Sequence, residues 1–148
     1  MTADGAALRV LVDRAAVTDV LVRYARALDA RDLEAVATCF TSDAAYDGSL
    51  ATGSIAVALA ALAETIGRYE RTLHLLGTPA IEIDGDRARA DTPCVAFQRL
   101  VDAAGPHDLT IAVRYVDELR RDVDGWRICS RRVRIEWRRS EPVAVPDA

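Results

Sequence analysis

Two kinds of apolar spacing divide this chain and restrict what it can fold into. From about Ala6 to Leu28, apolar residues recur every three or four positions, with Val17, Val20, Leu21, Tyr24 and Leu28 on one stripe. That is the period of an amphipathic helix. From Arg71 onward the spacing shortens towards alternation, and Asp84-Gly85 and Asp124-Gly125 supply tight turns between extended segments. A helical first half followed by hairpin-linked strands predicts an α+β fold, with helices packed on a mainly antiparallel sheet.

The punctuation between these halves is legible. Asp32 suits the N-cap of a short second helix over Leu33–Phe40, which Thr41-Ser42-Asp43 should end. Ala44–Gly48 reads as a short strand with its turn. Ser54 can cap a third helix running through Ile55, Leu59, Leu62 and Ile66 to about Tyr69. Strands are expected over Arg71–Gly77, Ala80–Ile83, Arg87–Val101, Leu109–Leu119 and Trp126–Arg138. Pro93 implies a bulge or an edge position, because proline brings no N–H to a ladder. Asp102–Pro106 is expected to be a loop. With no internal repeat or linker, the 148 residues are expected to form a single domain (1–148), its core at about 8–138 and a loose tail over 141–148.

Composition excludes some functions. A formal net charge of −4 gives no whole-chain attraction to nucleic acid or to an anionic membrane. All 19 basic residues are arginine, so Schiff-base chemistry on a lysine is excluded. Cys39, Cys94 and Cys129 form no C-x-x-C pair, and each lies in an apolar segment, as reduced core cysteines do. His74 and His107 lack metal-ligand spacing, so no metal is expected. The N-terminus has no positive leader and no apolar run reaches membrane-spanning length; a cytoplasmic location is the expectation.

Three titratable residues stand where structure alone would not require them. Tyr24 sits on the apolar stripe of the first helix, Asp29 where that helix runs out, and His74 within the run Leu73-His74-Leu75-Leu76. Each has a plain structural use: a core phenol, a helix-end cap, a satisfied core imidazole. Together they are the minimum equipment for proton transfer without a cofactor. Alternation along the last strand also places Cys129, Arg131, Val133, Ile135 and Trp137 on the apolar face. A guanidinium there needs a partner, either Asp117 on the preceding strand or a ligand oxygen. Tyr115, on the same face as Asp117, and Tyr46 join Arg131 as candidate substrate-binding residues.

The ordered set Val22–Leu33, Phe40–Ala44, Thr72–Gly77, Ile83–Ala88, Arg114–Asp117 and Gly125–Ile128 before Arg131 resembles the SnoaL-like branch of the nuclear transport factor 2-like superfamily. The resemblance spans about residues 8 to 138. It implies a cone-shaped α+β barrel, in which a curved sheet wraps three helices around a deep apolar pocket, and a homo-oligomer, dimer or trimer. The Tyr-x-x-x-x-Asp pair followed by a strand histidine is similar to scytalone dehydratase, bile acid 7α-dehydratase and the hexachlorocyclohexane dehydrochlorinase group. Asp29 and His74 match the dyad of those enzymes, Tyr24 a phenol, Arg131 an active-site arginine, and Tyr46 a pocket tyrosine. Ketosteroid isomerases share the helix tyrosine but use strand carboxylates, a position that Asp47 could mimic.

The expected function is therefore a cofactor-independent lyase of dehydratase type, acting on a small or medium apolar oxygenated metabolite such as a polyketide, steroid or terpenoid. A histidine's ordinary pKa of ~6.5 suits it to take a proton from a carbon at cellular pH. An isomerase or cyclase, or a non-catalytic binding or dimerisation module, are the alternatives. No organic cofactor, nucleic-acid partner or membrane partner is expected.

Overall fold

A computed structural model describes residues 3–103 and 105–143. Helix α1 covers Ala3–Asp29, α2 Leu33–Thr38 and α3 Ile55–Ile66. The strands are β1 (Phe40–Asp47), β2 (Thr52–Ser54), β3 (Arg71–Leu76), β4 (Ala80–Asp84), β5 (Arg87–Asp102), β6 (Gly105–Asp122) and β7 (Gly125–Pro142). They form one curved, open sheet in the order β2-β1-β7-β6-β5-β3, with β4 also pairing to β5. All described pairings are antiparallel except β1 with β7. The architecture is the expected α+β arrangement. No described helix is long and apolar enough to cross a membrane.

Caps and turns act where the residue types placed them. The Asp32 carboxylate accepts from Ala35 N at 2.9 Å, and the Ser54 hydroxyl from Val57 N at 3.4 Å. Gly85 and Gly125 adopt φ values of 58° and 113° in the two hairpin turns, conformations that cost a glycine little. Elsewhere pairing overrode local signals. Thr41-Ser42-Asp43 does not end a helix but lies inside β1, in an irregular stretch between Phe40 and Ala45, both of which pair with the parallel strand β7. The expected loop at Asp102–Pro106 closes into a tight hairpin, with Asp102 opposite Gly105. Glu141 and Pro142, expected in the loose tail, extend β7 against Asp108 and His107; residues 144–148 lie outside the described residues.

The core lies between α1 and the inner sheet face, where Val17, Leu21, Tyr24 and Leu28 meet Tyr115, Leu119 and Ile128. The amphipathic stripe is buried only from Asp13 on: Leu8 and Leu11 remain exposed. The buried Asp13 carboxylate accepts from Arg121 at 2.7 Å and from Trp126 Nε1 at 3.3 Å. The hydrogen bond from Arg121 holds its pKa below the ordinary carboxylate value.

Two irregularities in β7 revise the expected faces. Glu118 pairs with Ser130 but Leu119 with Ile128, leaving Cys129 as an extra residue on β7. Glu136 is extra in the same way, since Ala112 faces Trp137 and Val113 faces Ile135. Each insertion reverses the parity of side chains beyond it. Cys129 therefore leaves the core and is only half-buried, and Trp137 turns outward at 52% exposed. Arg131, Val133 and Ile135, between the two, keep the inner face.

Pro93 occupies the edge-like position its chemistry requires. The neighbour of β5 changes there from β3, last paired at Cys94, to β4, first paired at Asp91. Gly77 N donates to Pro93 O at 2.7 Å across the gap, and a Cβ on Gly77 would lie only 2.7 Å from Pro93 Cγ. We expect Gly77→Ala to destabilise the fold by about 1–3 kcal/mol through this overpacking. Urea denaturation measures it, and an unchanged midpoint would contradict the contact.

Candidate active site

Helix α1 stops abruptly, and the stop aims Asp29. Arg31 takes a left-handed φ of 59°, while Arg31 N donates to Leu28 O at 3.0 Å and Asp32 N to Ala27 O at 2.9 Å. These are the paired bonds of a Schellman-type ending. Asp29, the last helical residue, is thereby turned towards β3. On that strand the alternation is clean: Thr72, His74 and Leu76 face inward, and Leu73 and Leu75 face outward. The leucines adjoining His74 in sequence thus lie on the opposite face of the sheet and do not surround its ring.

One carboxylate makes three contacts here. Asp29 Oδ1 lies 2.7 Å from His74 Nδ1 and accepts from Thr72 Oγ1 at 3.0 Å. Asp29 Oδ2 accepts from the backbone N–H of His74 at 2.9 Å. With Nδ1–H donated to the carboxylate, Nε2 is the ring nitrogen left with a lone pair. The His74 side chain is only 10% exposed and lines a cavity of about 120 Å³.

The cavity wall is mainly apolar: Leu28, Leu62, Ile66, Ala96, Ile111, Val113, Val133 and Ile135. Tyr24, Tyr46, Tyr69 and Tyr115 bring phenols to it, Ser49, Thr65 and Thr72 hydroxyls, and Gln98 an amide. Leu50 and Ile135, each about two-fifths exposed, belong to its outer part. Burial pushes the Tyr24 phenol above its ordinary pKa, while the Arg131 cation beside it pulls back. Burial likewise raises Tyr46 and Tyr115, so all three remain protonated donors at neutral pH.

Of the two partners considered for Arg131, the structure contains Asp117. Arg131 Nε and Nη2 each meet a carboxylate oxygen at 2.7 Å, and both side chains are fully buried. The guanidinium lies 4.0 Å from the Tyr24 ring centroid, 4.4 Å from that of Tyr115 and 5.5 Å from that of Phe40. Its Nη1 is buried without a hydrogen-bond acceptor among the described residues, so the aromatic faces carry part of its charge. Burial alone would lower the Arg131 pKa; Asp117 more than reverses this and keeps it cationic. Arg131 does not line the cavity itself; Tyr24 and Tyr115 stand there.

Tyr24, Tyr46, His74 and Tyr115 thus meet at one cavity, Asp29 reaches it through His74, and Arg131 lies behind its phenols. Asp47 faces elsewhere: it is exposed, bonded to Arg132 at 3.0 Å and to the Thr52 hydroxyl at 3.3 Å. His107 belongs to β6. Thr72 and Gln98 were not anticipated. The signal for Thr72 was its parity with His74; for Gln98 none was local, since only its pairing opposite Thr72 places it inside.

Arg131→Met should cost about 3–5 kcal/mol by stranding the Asp117 charge. The double variant Arg131→Met/Asp117→Leu should recover most of that loss. Urea denaturation of both variants tests this; equal stability of the single and double variants would refute the coupling.

Comparison with known proteins places this geometry in a family. The SnoaL-like domain matches residues 9–132. Uncharacterized protein Rv2910c of Mycobacterium tuberculosis is 31% identical over 124 residues, covering 80% of this chain and 82% of that protein. Among solved structures, the Kfla4162 protein of Kribbella flavida superposes with a TM-score of 0.80 at 24% identity, over 88% of this chain and 95% of that one. A candidate scytalone dehydratase from Novosphingobium aromaticivorans gives 0.80 at 20%, over 90% and 91%. Hexachlorocyclohexane dehydrochlorinase LinA-type3 from Novosphingobium barchaimii gives 0.80 at 19%, over 95% and 99%. At these identities the structural likenesses establish the nuclear transport factor 2-like fold alone. The match over residues 9–132 carries the further statement: this chain belongs to the SnoaL-like domain family.

Proposed function

We propose that the protein is a cofactor-independent lyase that eliminates water from a small, oxygenated, largely apolar molecule. The observation that carries this reading is the 2.7 Å Asp29–His74 contact at the wall of an apolar cavity, which leaves Nε2 as the available base. The cavity volume of about 120 Å³ is on the scale of a site that encloses one six-membered ring. A larger polycycle would have to project past Leu50 and Ile135.

The reaction would run as follows. His74 Nε2 takes a proton from the carbon beside a substrate carbonyl, and Asp29 stabilises the imidazolium formed. Tyr24 donates a hydrogen bond to the carbonyl oxygen as negative charge develops there, with the Arg131 cation behind its ring favouring that charge. The C–O bond to the hydroxyl on the next carbon then breaks, the imidazolium returns its proton to the departing hydroxyl, which leaves as water, and a conjugated C=C bond remains with His74 neutral again. The chemistry needs neither metal nor organic cofactor. The outward position of Asp47 removes the strand carboxylate that an isomerase of ketosteroid type would use, and so favours elimination. The candidate scytalone dehydratase and the dehydrochlorinase are named for eliminations as well.

We also infer that the chain self-associates. Leu73 pairs across β3 and β5 with Phe97, and the row Leu75, Val95, Ala112 and Trp137 crosses four strands on the outer face. Leu73, Leu75, Phe97 and Trp137 are all more than two-fifths exposed. Such a contiguous apolar surface suits a homo-oligomer interface. Trp126 takes no part in that surface, being 4% exposed in the core.

3-Hydroxycyclohexanone is a suitable first substrate, its conversion to cyclohexenone followed by mass spectrometry. His74→Ala should abolish turnover with the fold intact, Asp29→Asn should lose most of it, and Tyr24→Phe should lose roughly 10²–10³ in rate. Turnover by His74→Ala at the wild-type rate would remove the histidine base; ligand binding without turnover of any β-hydroxyketone would favour a binding module.

Sedimentation should show a dimer or trimer that Leu75→Glu or Trp137→Glu dissociates. A concentration-independent monomer mass for the wild type would overturn the assembly.

A further inference from the structure

Gln98 lies on β5, directly opposite Thr72 of β3 and Leu109 of β6, and its side chain lines the cavity. Its Oε1 is buried and has no hydrogen-bond donor among the described residues. A buried amide oxygen left without a donor forfeits the hydrogen bonds it had in water, so such an atom calls for an explanation. The nearby hydroxyls do not supply one. Thr72 gives its single hydrogen to Asp29 at 3.0 Å, and Thr65 gives its own to Ala61 O at 2.8 Å. Both donors are committed to structure.

Gln98 is also well placed relative to His74. His74 faces Ala96, two residues from Gln98 on the same side of the sheet. Diagonal neighbours of this kind have backbones about 7–8 Å apart, so the imidazole and the amide enter the cavity side by side from adjacent strands. A ring seated between them presents a C–H to the imidazole and a hydroxyl to the amide.

We propose that Gln98 is a specificity-determining residue whose Oε1 accepts a hydrogen bond from a hydroxyl on a six-membered substrate ring. This rests on the reading of the cavity as a substrate site, and it narrows the substrate class to a hydroxylated monocycle. A site built to accept from an O–H discriminates against an isostere that cannot donate, because the amide oxygen is then buried unpaired.

Equilibrium binding tests the proposal without turnover, so its outcome is independent of whether His74 is the base. The probes are cyclohexanol, its methyl ether methoxycyclohexane, and cyclohexanone, titrated against wild type and Gln98→Met by calorimetry. Wild type should prefer the alcohol to the ether by about tenfold, a single good hydrogen bond. Gln98→Met, of similar length and apolar, should erase that preference by weakening the alcohol, while the ether and cyclohexanone, which cannot donate to the amide oxygen, bind no more weakly than to wild type. Gln98→Leu provides a second apolar variant should Gln98→Met fold poorly. The proposal is overturned if wild type binds alcohol and ether equally, if both variants retain the preference, if Gln98→Met weakens only the ketone, or if wild type binds no monocyclic alcohol.

Discussion

A buried cation organises this molecule. Arg131, fully enclosed on β7, is clasped through two nitrogens by Asp117 on β6 and overlaid by Tyr24 from α1, Tyr115 from β6 and Phe40 from β1. Stripping water from a guanidinium and a carboxylate costs several kcal/mol each, so the pair is tolerable only where geometry is good and the ring faces help. That demand fixes the distance between the first helix and the middle of the sheet. The phenols at the end of the cavity inherit their positions from it. Tyr24 also meets Tyr115 and Phe40 edge-on, at centroid distances of 5.8 and 5.7 Å, so the arrangement has little freedom to relax.

Another part of the cavity wall is organised by an anion. Asp29 serves Thr72, the His74 ring and the His74 backbone at once. Ring orientation is thus tied to the position of the strand and to the point where α1 ends. The two charges act from behind the wall of one apolar space: the carboxylate sets the direction of a base, and the guanidinium biases a donor. Neither needs to enter the cavity to shape its chemistry.

What could be read from the residues follows from how local each determinant is. Helix caps, hairpin turns and the inward parity of Arg131 depend on neighbours in sequence, and they were legible. So was the order of Tyr24, Asp29 and His74, because their types are unusual for their surroundings. Whether Arg131 meets Asp117 or a ligand was not decidable, since parity names a face and not a partner. The outward turns of Cys129 and Trp137 were hidden because a single-residue bulge depends on the opposing strand and leaves no mark in composition. Thr41 to Asp43 resemble a helix stop and lie within a strand whose flanking residues, Phe40 and Ala45, pair with a segment some 90 residues later. Gln98 looks like any polar strand residue until the register against β3 is known.

β3 ends the main path of the sheet, and such a strand offers unpaired backbone groups to any other extended chain. The His74 N–H points away from β5 into that open margin, and Asp29 Oδ2 occupies it. The carboxylate that orients the imidazole therefore also seals the border of the sheet, setting a negative charge where an incoming strand would need to dock. Protection against misassembly and alignment of the candidate base are met by two oxygens of one side chain. A chain that lost Asp29 would lose an orienting group and, in the same step, bare an adhesive edge.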